Sequence, residues 1–244
     1  MDLDHKQTYS MDQVGTTIVP QTGSIGTKGS IKFSSDGTIL AIGSFMDSPN
    51  AGRITIYQNS GQSWNQMGLS LNPENSNENY GFSIDLSSNG MIIAGGAMHV
   101  PCYDLNGNSL TSCGKVRIYQ YSGGTWNEYG NPLTGSSLAQ AFGYSVSLSS
   151  DGSFLAVGSM NNSAPGMVQV YQYTTEWNQI GNNIVGTMNS DMFGASVALS
   201  FDGSRIVIGA PRYNSWLGRV KVYEWNGFSW DLIGSWMIKN FELL

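Results

Sequence analysis

The segment FGYSVSLSSDGSFLAVGS, which begins at Phe142, returns as FGASVALSFDGSRIVIGA from Phe193. It returns again as YGFSIDLSSNGMIIAGGA from Tyr80 and as TKGSIKFSSDGTILAIGS from Thr27, where Lys28 replaces the Gly. Its turn residue falls at Asp36, Asn89, Asp151 and Asp202, in steps of 53, 62 and 51 residues. A second phrase follows each copy: GRITIYQ, GKVRIYQ, GMVQVYQ and GRVKVYE. A third closes each unit: WNQMG, WNEYG, WNQIG and WDLIG, starting at Trp64, Trp126, Trp177 and Trp230. A period near 50 residues, held over four copies, restricts the chain to a repeat architecture.

Each unit reads as four strands. Strand a alternates apolar residues with small polar ones, as Val146 and Leu148 do between serines. Strand b, such as Phe154–Val157, is nearly all apolar, the pattern of a strand covered on both faces. Strand c alternates again, with Val168 and Val170 to one side and Gln169 and Tyr171 to the other. Strand d starts at the Trp. Asp-Gly or Asn-Gly between a and b is a strong hairpin signal. Gly52, Gly114, Gly166 and Gly218, at the end of each b–c loop, permit a turn or a close approach. Four-stranded units of this length are propeller blades, with Ala41, Ala94, Ala156 and Val207 suited to crowded inner strands. A two-sheet sandwich competes, but it does not need four copies of one unit.

The composition agrees with many short strands and tight turns: 31 Gly in 244 residues and only 11% charged residues. Net charge is −6 with a pI near 4.7, and no basic patch is visible, which speaks against a nucleic-acid partner. No apolar run reaches the roughly 18 residues of a membrane helix, and MDLDHKQTYSMDQ has no apolar signal-peptide core. The expectation is a soluble chain without membrane insertion. Its compartment is left unknown, with an extracellular, surface or particle-associated setting favoured.

Residues 27 to 236 resemble the FG-GAP repeats of integrin-α-type β-propellers. Phe193-Gly194 and Gly209-Ala210-Pro211 in the last copy match the two halves of the family's motif. The resemblance implies an all-β, four-bladed propeller, one domain over 1–244 with repeats at about 27–72, 80–134, 142–186 and 193–238. Many members of the family bind calcium through Asp-x-Asp-x-Asp-Gly between strands a and b. Here the segment is Ser-x-Asp-Gly or Ser-x-Asn-Gly, and one carboxylate does not supply the six to eight oxygens calcium takes. No metal or cofactor is therefore expected.

QVGTTIV at Gln13–Val19 resembles QIGNNIV at Gln179–Val185, so an extra strand d is expected over 12–19. Three accounts of it stay open: a clasp on the last blade, a remnant of a larger propeller, or a strand that pairs with another subunit. A closed four-bladed ring is the working expectation.

The second b–c loop, Met98 to Gly114, is longer than the others and holds both cysteines. A hairpin centred on Gly107-Asn108 brings Cys102 opposite Cys113, and a disulfide there stabilises by roughly 2–3 kcal/mol. Asp104, Asn106 and Asn108 hint at a cation loop, but the EF-hand spacing fails and an Asn-rich turn is the simpler account. Tyr103, Asp104, Tyr213 and Trp216, all in b–c loops, are the candidate ligand-binding residues, since exposed aromatics stack on sugars. The recurring Trp64, Trp126, Trp177 and Trp230 are expected to pack between blades. Asn161-Asn162-Ser163 matches a glycosylation acceptor by chance. His5 and His99 are the only histidines, and no nucleophile elbow, phosphate loop or Cys/His cluster occurs. Asp47, Asp104 and Asp191 are the loop acids worth checking. The functional expectation is a non-catalytic binding or adhesion module for a protein or glycan. A structural subunit of a coat, capsid or surface layer, homo-oligomeric or larger, and a glycan-active enzyme are the alternatives.

Overall fold

In the computed structural model, the described residues are 17–18, 30–46, 52–75, 78–103, 109–136, 141–161 and 164–237. Each of the four units folds into its own antiparallel meander. Sheet 1 holds β1 (Ile31–Phe33), β2 (Ile39–Ser44), β3 (Arg53–Asn59) and β4 (Trp64–Gln66). Sheet 2 runs β5 (Tyr80–Leu86), β6 (Ile92–Ala97), then a side hairpin of β7 (Pro101–Tyr103) and β8 (Ser109–Ser112), then β9 (Lys115–Ser122), β10 (Thr125–Glu128) and the short β11 (Leu133–Thr134). Sheet 3 holds β12 (Phe142–Leu148), β13 (Phe154–Ser159), β14 (Met167–Tyr173), β15 (Trp177–Gln179) and β16 (Ile184–Val185). Sheet 4 holds β17 (Ser196–Leu199), β18 (Arg205–Ala210), a four-residue turn α1 (Tyr213–Trp216), β19 (Arg219–Trp225) and β20 (Trp230–Met237). The architecture is all-β with almost no helix, and four antiparallel sheets, each built on a four-strand meander, are compatible with a propeller-like fold. The expected strand over 12–19 lies almost wholly outside the described residues.

The a–b turns explain the Ser-x-Asp-Gly signature. Asp36 Oδ1 accepts bonds from Ser34 Oγ (2.6 Å), Thr38 N (3.0 Å) and Thr38 Oγ1 (2.9 Å). Ser34 Oγ in turn accepts Ile39 N at 2.9 Å. The same set recurs at Asp151 and Asp202, and in part at Asn89. These bonds hold the carboxyls of Asp36 and Asp202 down at about 2, with the serine hydroxyls before them as the largest cause. The loop also differs from a two-residue hairpin turn: it spans Ser34 to Ile39, and only the Gly has positive φ. The Asp is spent on organising this wider turn.

The core consists of three joints between successive sheets. The first buries Ile39, Ala41, Ile54 and Ile56 of sheet 1 against Tyr80, Ile84, Leu86 and Ile93 of sheet 2. Equivalent residues fill the second and third joints. At the Phe-Gly motif, Gly81, Gly143 and Gly194 have φ near +85°. Each lays its carbonyl against a glycine of the preceding sheet, where a Cβ on Gly43, Gly96 or Gly158 would collide with it. That contact explains why both positions are Gly. The aromatic partners Tyr80, Phe142 and Phe193 are fully buried.

The repeating tryptophans tie the sheets together. Trp126 Nε1 donates to Met67 O (2.8 Å), Trp177 Nε1 to Tyr129 O (2.7 Å) and Trp230 Nε1 to Ile180 O (3.3 Å), each in the preceding unit. Cys102 and Cys113 form the expected disulfide across β7–β8, with Cα atoms 5.6 Å apart. Asn161 is buried and its Oδ1 accepts Ala164 N, so it is not presented for glycosylation.

Candidate functional site

Strands β1, β5, β12 and β17, each the first and therefore an edge strand of its meander, lie side by side because the sheets stack in chain order. In the middle of each, one residue sits between two apolar neighbours: Lys32, Asp85, Ser147 and Ala198. The apolar neighbours are near-constant across the units, whereas these four differ in charge and size. They line a cleft of about 310 Å³ together with Leu86, Leu148, Leu199 and the turn residues Ser88, Ser150 and Phe201.

Asp85 is the anchor of the cleft. Its carboxylate is largely buried, with Oδ2 accepting Leu148 N at 2.8 Å and Oδ1 3.1 Å from Lys32 Nζ. Ser147 makes the corresponding link one sheet on, its Oγ accepting Leu199 N at 3.0 Å. Ser88 and Ser150 share a hydroxyl–hydroxyl bond of 2.6 Å at the rim. Lys32 keeps about half of its side chain exposed. The cleft therefore presents one fixed carboxylate, one half-exposed ammonium and several hydroxyls to a small polar molecule. A carboxylate held this way can take a proton from an attacking water, and the ammonium can meet negative charge that develops on an oxygen. Among the described residues no group of three or more His, Cys, Asp or Glu is placed to hold a metal ion.

The b–c loops open at the opposite end of the sheets from this cleft, since strand a ends where the a–b turn begins. Tyr213 and Trp216 share the α1 turn of sheet 4. The Arg219 guanidinium stacks on Tyr213 at 4.1 Å, and that of Arg212 on Trp216 at 4.8 Å. Trp216 is 70% exposed. Tyr103 is on β7, beside the disulfide of sheet 2. Asp104, Asp47 and His5 lie outside the described residues. Asp191 is buried and its Oδ1 caps Phe193 N at 2.9 Å, a structural task. The acids named from loops thus missed Asp85, which sits in a strand. The available signal was the variable position inside an otherwise constant strand a.

A second cavity, about 360 Å³, lies at the outer edge of sheets 1 and 2. Gln58, Asn59, Asn65, Gln66 and Tyr121 line it, without a carboxylate, amine or imidazole.

No protein-family model and no curated protein matches the chain. Among solved structures, it is similar to a protein of Bacteroides uniformis provisionally assigned as a 6-phosphogluconolactonase, with a TM-score of 0.59 and 14% identity. The match covers 91% of this chain and 61% of that one, so the chain spans less than two thirds of the neighbour's length. At this identity the likeness establishes a shared arrangement of sheets. It also corrects the expectation of a non-catalytic binding module and of a chain that is not an enzyme: this arrangement carries a protein assigned to catalysis. Lys32 and Asp85 come from different units and meet only when the first strands of the sheets line up, so no linear motif announces the pair.

Proposed function

We propose that the four sheets are consecutive blades of a propeller-type arc, and that the inner cleft hydrolyses the ester bond of a small polar lactone. The Lys32–Asp85 pair, with Asp85 locked by the Leu148 N–H, is the observation that carries this reading. Support comes also from the neighbour's assignment to lactone chemistry on the same arrangement of sheets. In this reading Asp85 accepts a proton as water adds to the lactone carbonyl, forming the new C–O bond. Lys32 swings from Asp85 to the carbonyl oxygen as charge builds there. Collapse breaks the ring C–O bond, and the proton on Asp85 passes to the departing alkoxide. Ser88 and Ser150 stand at the rim where hydroxyls of a sugar-derived substrate enter.

Proton release from a sugar δ-lactone and its 6-phosphate, followed at constant pH, tests the proposal. The chain should accelerate hydrolysis over background. Asp85→Asn keeps the bond to Leu148 N and removes the base, so kcat should fall by roughly 10²–10⁴-fold with the fold intact by circular dichroism. Equal rates for the chain and the buffer, or an unchanged rate in Asp85→Asn, would sink the idea.

A further inference from the structure

Among the described residues, the outward faces of sheets 4 and 1 are partly exposed, although Leu40 on the face of sheet 1 is buried, and each carries the half-joint that the other needs. In sheets 1, 2 and 3 the face turned to the following sheet is fully buried: Ala41 with Ile54 and Ile56, Ala94 with Val116 and Ile118, Ala156 with Val168 and Val170. The same positions in sheet 4 are Val207, Val220 and Val222; Val207 is 39% exposed and the other two are partly exposed. The polar links stop there too. Ser30, Ser83 and Ser145 donate through Oγ to a carbonyl of the next sheet, whereas their counterpart Ser196 is exposed and has no such bond among the described residues. The turn amides of Ser35, Ser88 and Ser150 donate to Ser88 O, Ser150 O and Phe201 O in succession. Phe201, next in that series, is exposed, and its amide has no such acceptor among the described residues. Gly209, counterpart of the glycines that receive a neighbour's carbonyl, has Ser196 of its own sheet as its nearest neighbour instead.

Sheet 1 has the reciprocal deficit. Ile84 and Leu86, or Val146 and Leu148, are buried against the preceding sheet. Their counterparts Ile31 and Phe33 are 57% and 54% exposed. The Phe33 ring lies 6.0 Å from that of Trp64 in the same sheet.

We infer that sheet 4 of one chain receives sheet 1 of a second copy, head to tail, in continuation of the three joints already inside the chain. The geometry of the repeat supports the choice of partner, because the inserting and receiving faces belong to one series. Each joint of this kind is heterologous, and a heterologous joint closes only when its rotation suits a ring. Two arcs of four sheets, joined twice, give a two-fold ring of eight, within the range propellers use. The similar solved structure is longer than this chain, which covers 61% of it, and so has room for further sheets beyond four. The first copy of the repeat has Thr27-Lys28 in its sequence where the later copies have the aromatic-Gly pair, so the new joint is expected to be weaker than the internal three.

Native mass spectrometry and light scattering on the 244-residue protein test this. The expected mass is twice the 26.4 kDa of one chain. Val207→Glu and Ile31→Glu each place a carboxylate on a surface that is exposed in the single chain, so both variants should fold and melt as one chain does. Each should raise the dimer dissociation constant by about 100-fold or more, because the charge is buried in the joint. Mixing the two variants restores one clean joint of the two, so a mixed dimer should reappear. A monomer at about 100 µM, a filament, or a dimer that ignores both substitutions overturns the inference. Failure of the mixture to rescue would indicate a symmetric face-to-face contact and overturn it equally.

Discussion

The joint between sheets 1 and 2 and the joint between sheets 3 and 4 share a backbone plan but differ at one buried position. In the first, strand β9 carries Arg117, almost wholly buried, with Nη1 3.1 Å from Glu78 Oε2 and Nη2 2.9 Å from Glu74 Oε2. Lys115 adds a further contact to Glu74 at 3.0 Å. In the second, the matching residue of β19 is Lys221, buried over the Phe193 ring at 5.5 Å, with Asp191 and Arg219 as its charged surroundings. Two carboxylates balance two cations in one joint; one carboxylate faces two cations in the other. Repetition thus dictates apolar packing, while each joint solves its charged position separately. A buried charge is tolerable when its partners are complete and costly when they are not.

Removing a partner from the balanced joint should have the largest effect. Glu78→Gln leaves the Arg117 guanidinium buried with half its compensation and should cost about 3–5 kcal/mol, read by urea unfolding. A loss under about 1 kcal/mol would mean that water reaches Arg117 and that the two joints are alike. Reduction of Cys102–Cys113, next to the start of β9, should cost roughly 2–3 kcal/mol and leave the 3–4 joint unaffected in hydrogen exchange. Lys221→Met removes the under-compensated cation while keeping its apolar stem, and should be neutral or stabilising by about 1 kcal/mol. Destabilisation by more than that would show that Lys221 holds the joint together.

The smallest difference is in pH response, and its sign separates the joints. The Lys115 bond, first among the causes, holds the Glu74 carboxyl below its usual value despite partial desolvation. A depressed carboxylate stabilises above its unfolded value of 4.5 and loses that contribution as pH falls through the folded value. Burial, then the nearby Arg219, pushes the Lys221 ammonium below 10.5. Its folded form sheds the proton first, so stability rises with pH between the folded value and 10.5. Unfolding free energies of Glu74→Gln against the parent at pH 3–6, and of Lys221→Met against the parent at pH 8–10, should lose these two slopes respectively. Above pH 10 the buried tyrosines oppose the second trend: burial raises Tyr80 well above 10 and Tyr171 to about 12, so unfolding is favoured once their unfolded forms ionise.

Much of the fold was legible because every unit solves the same problem. The Trp of each third phrase, the apolar strand b and the Phe-Gly pair recur at fixed spacing, and the structure uses them as inter-sheet clasps, two-face-buried strands and close backbone approaches. Ala41, Ala94 and Ala156 are crowded as expected, yet Val207 is not, since a pattern in one unit says nothing of whether a neighbour covers it. The Asp-Gly turn was placed correctly, but its width was not legible, because the serine bonds that shape it involve side chains. The cleft was not legible at all: a search for loop acids and short motifs passes over Asp85, a strand residue that pairs with Lys32, 53 positions earlier in the chain.

By itself the sequence determined the period, the four-strand unit, the residues that clasp one unit to the next and the position of the disulfide. These depend on local alternation and on contacts between consecutive units, which a repeat writes out in full. Only the tertiary structure decided which side chains converge at the inner edges, which faces stay open at the two ends and how each joint balances its charge. Those depend on the angle between sheets, a sum over many small packing contacts that no single phrase of the repeat encodes.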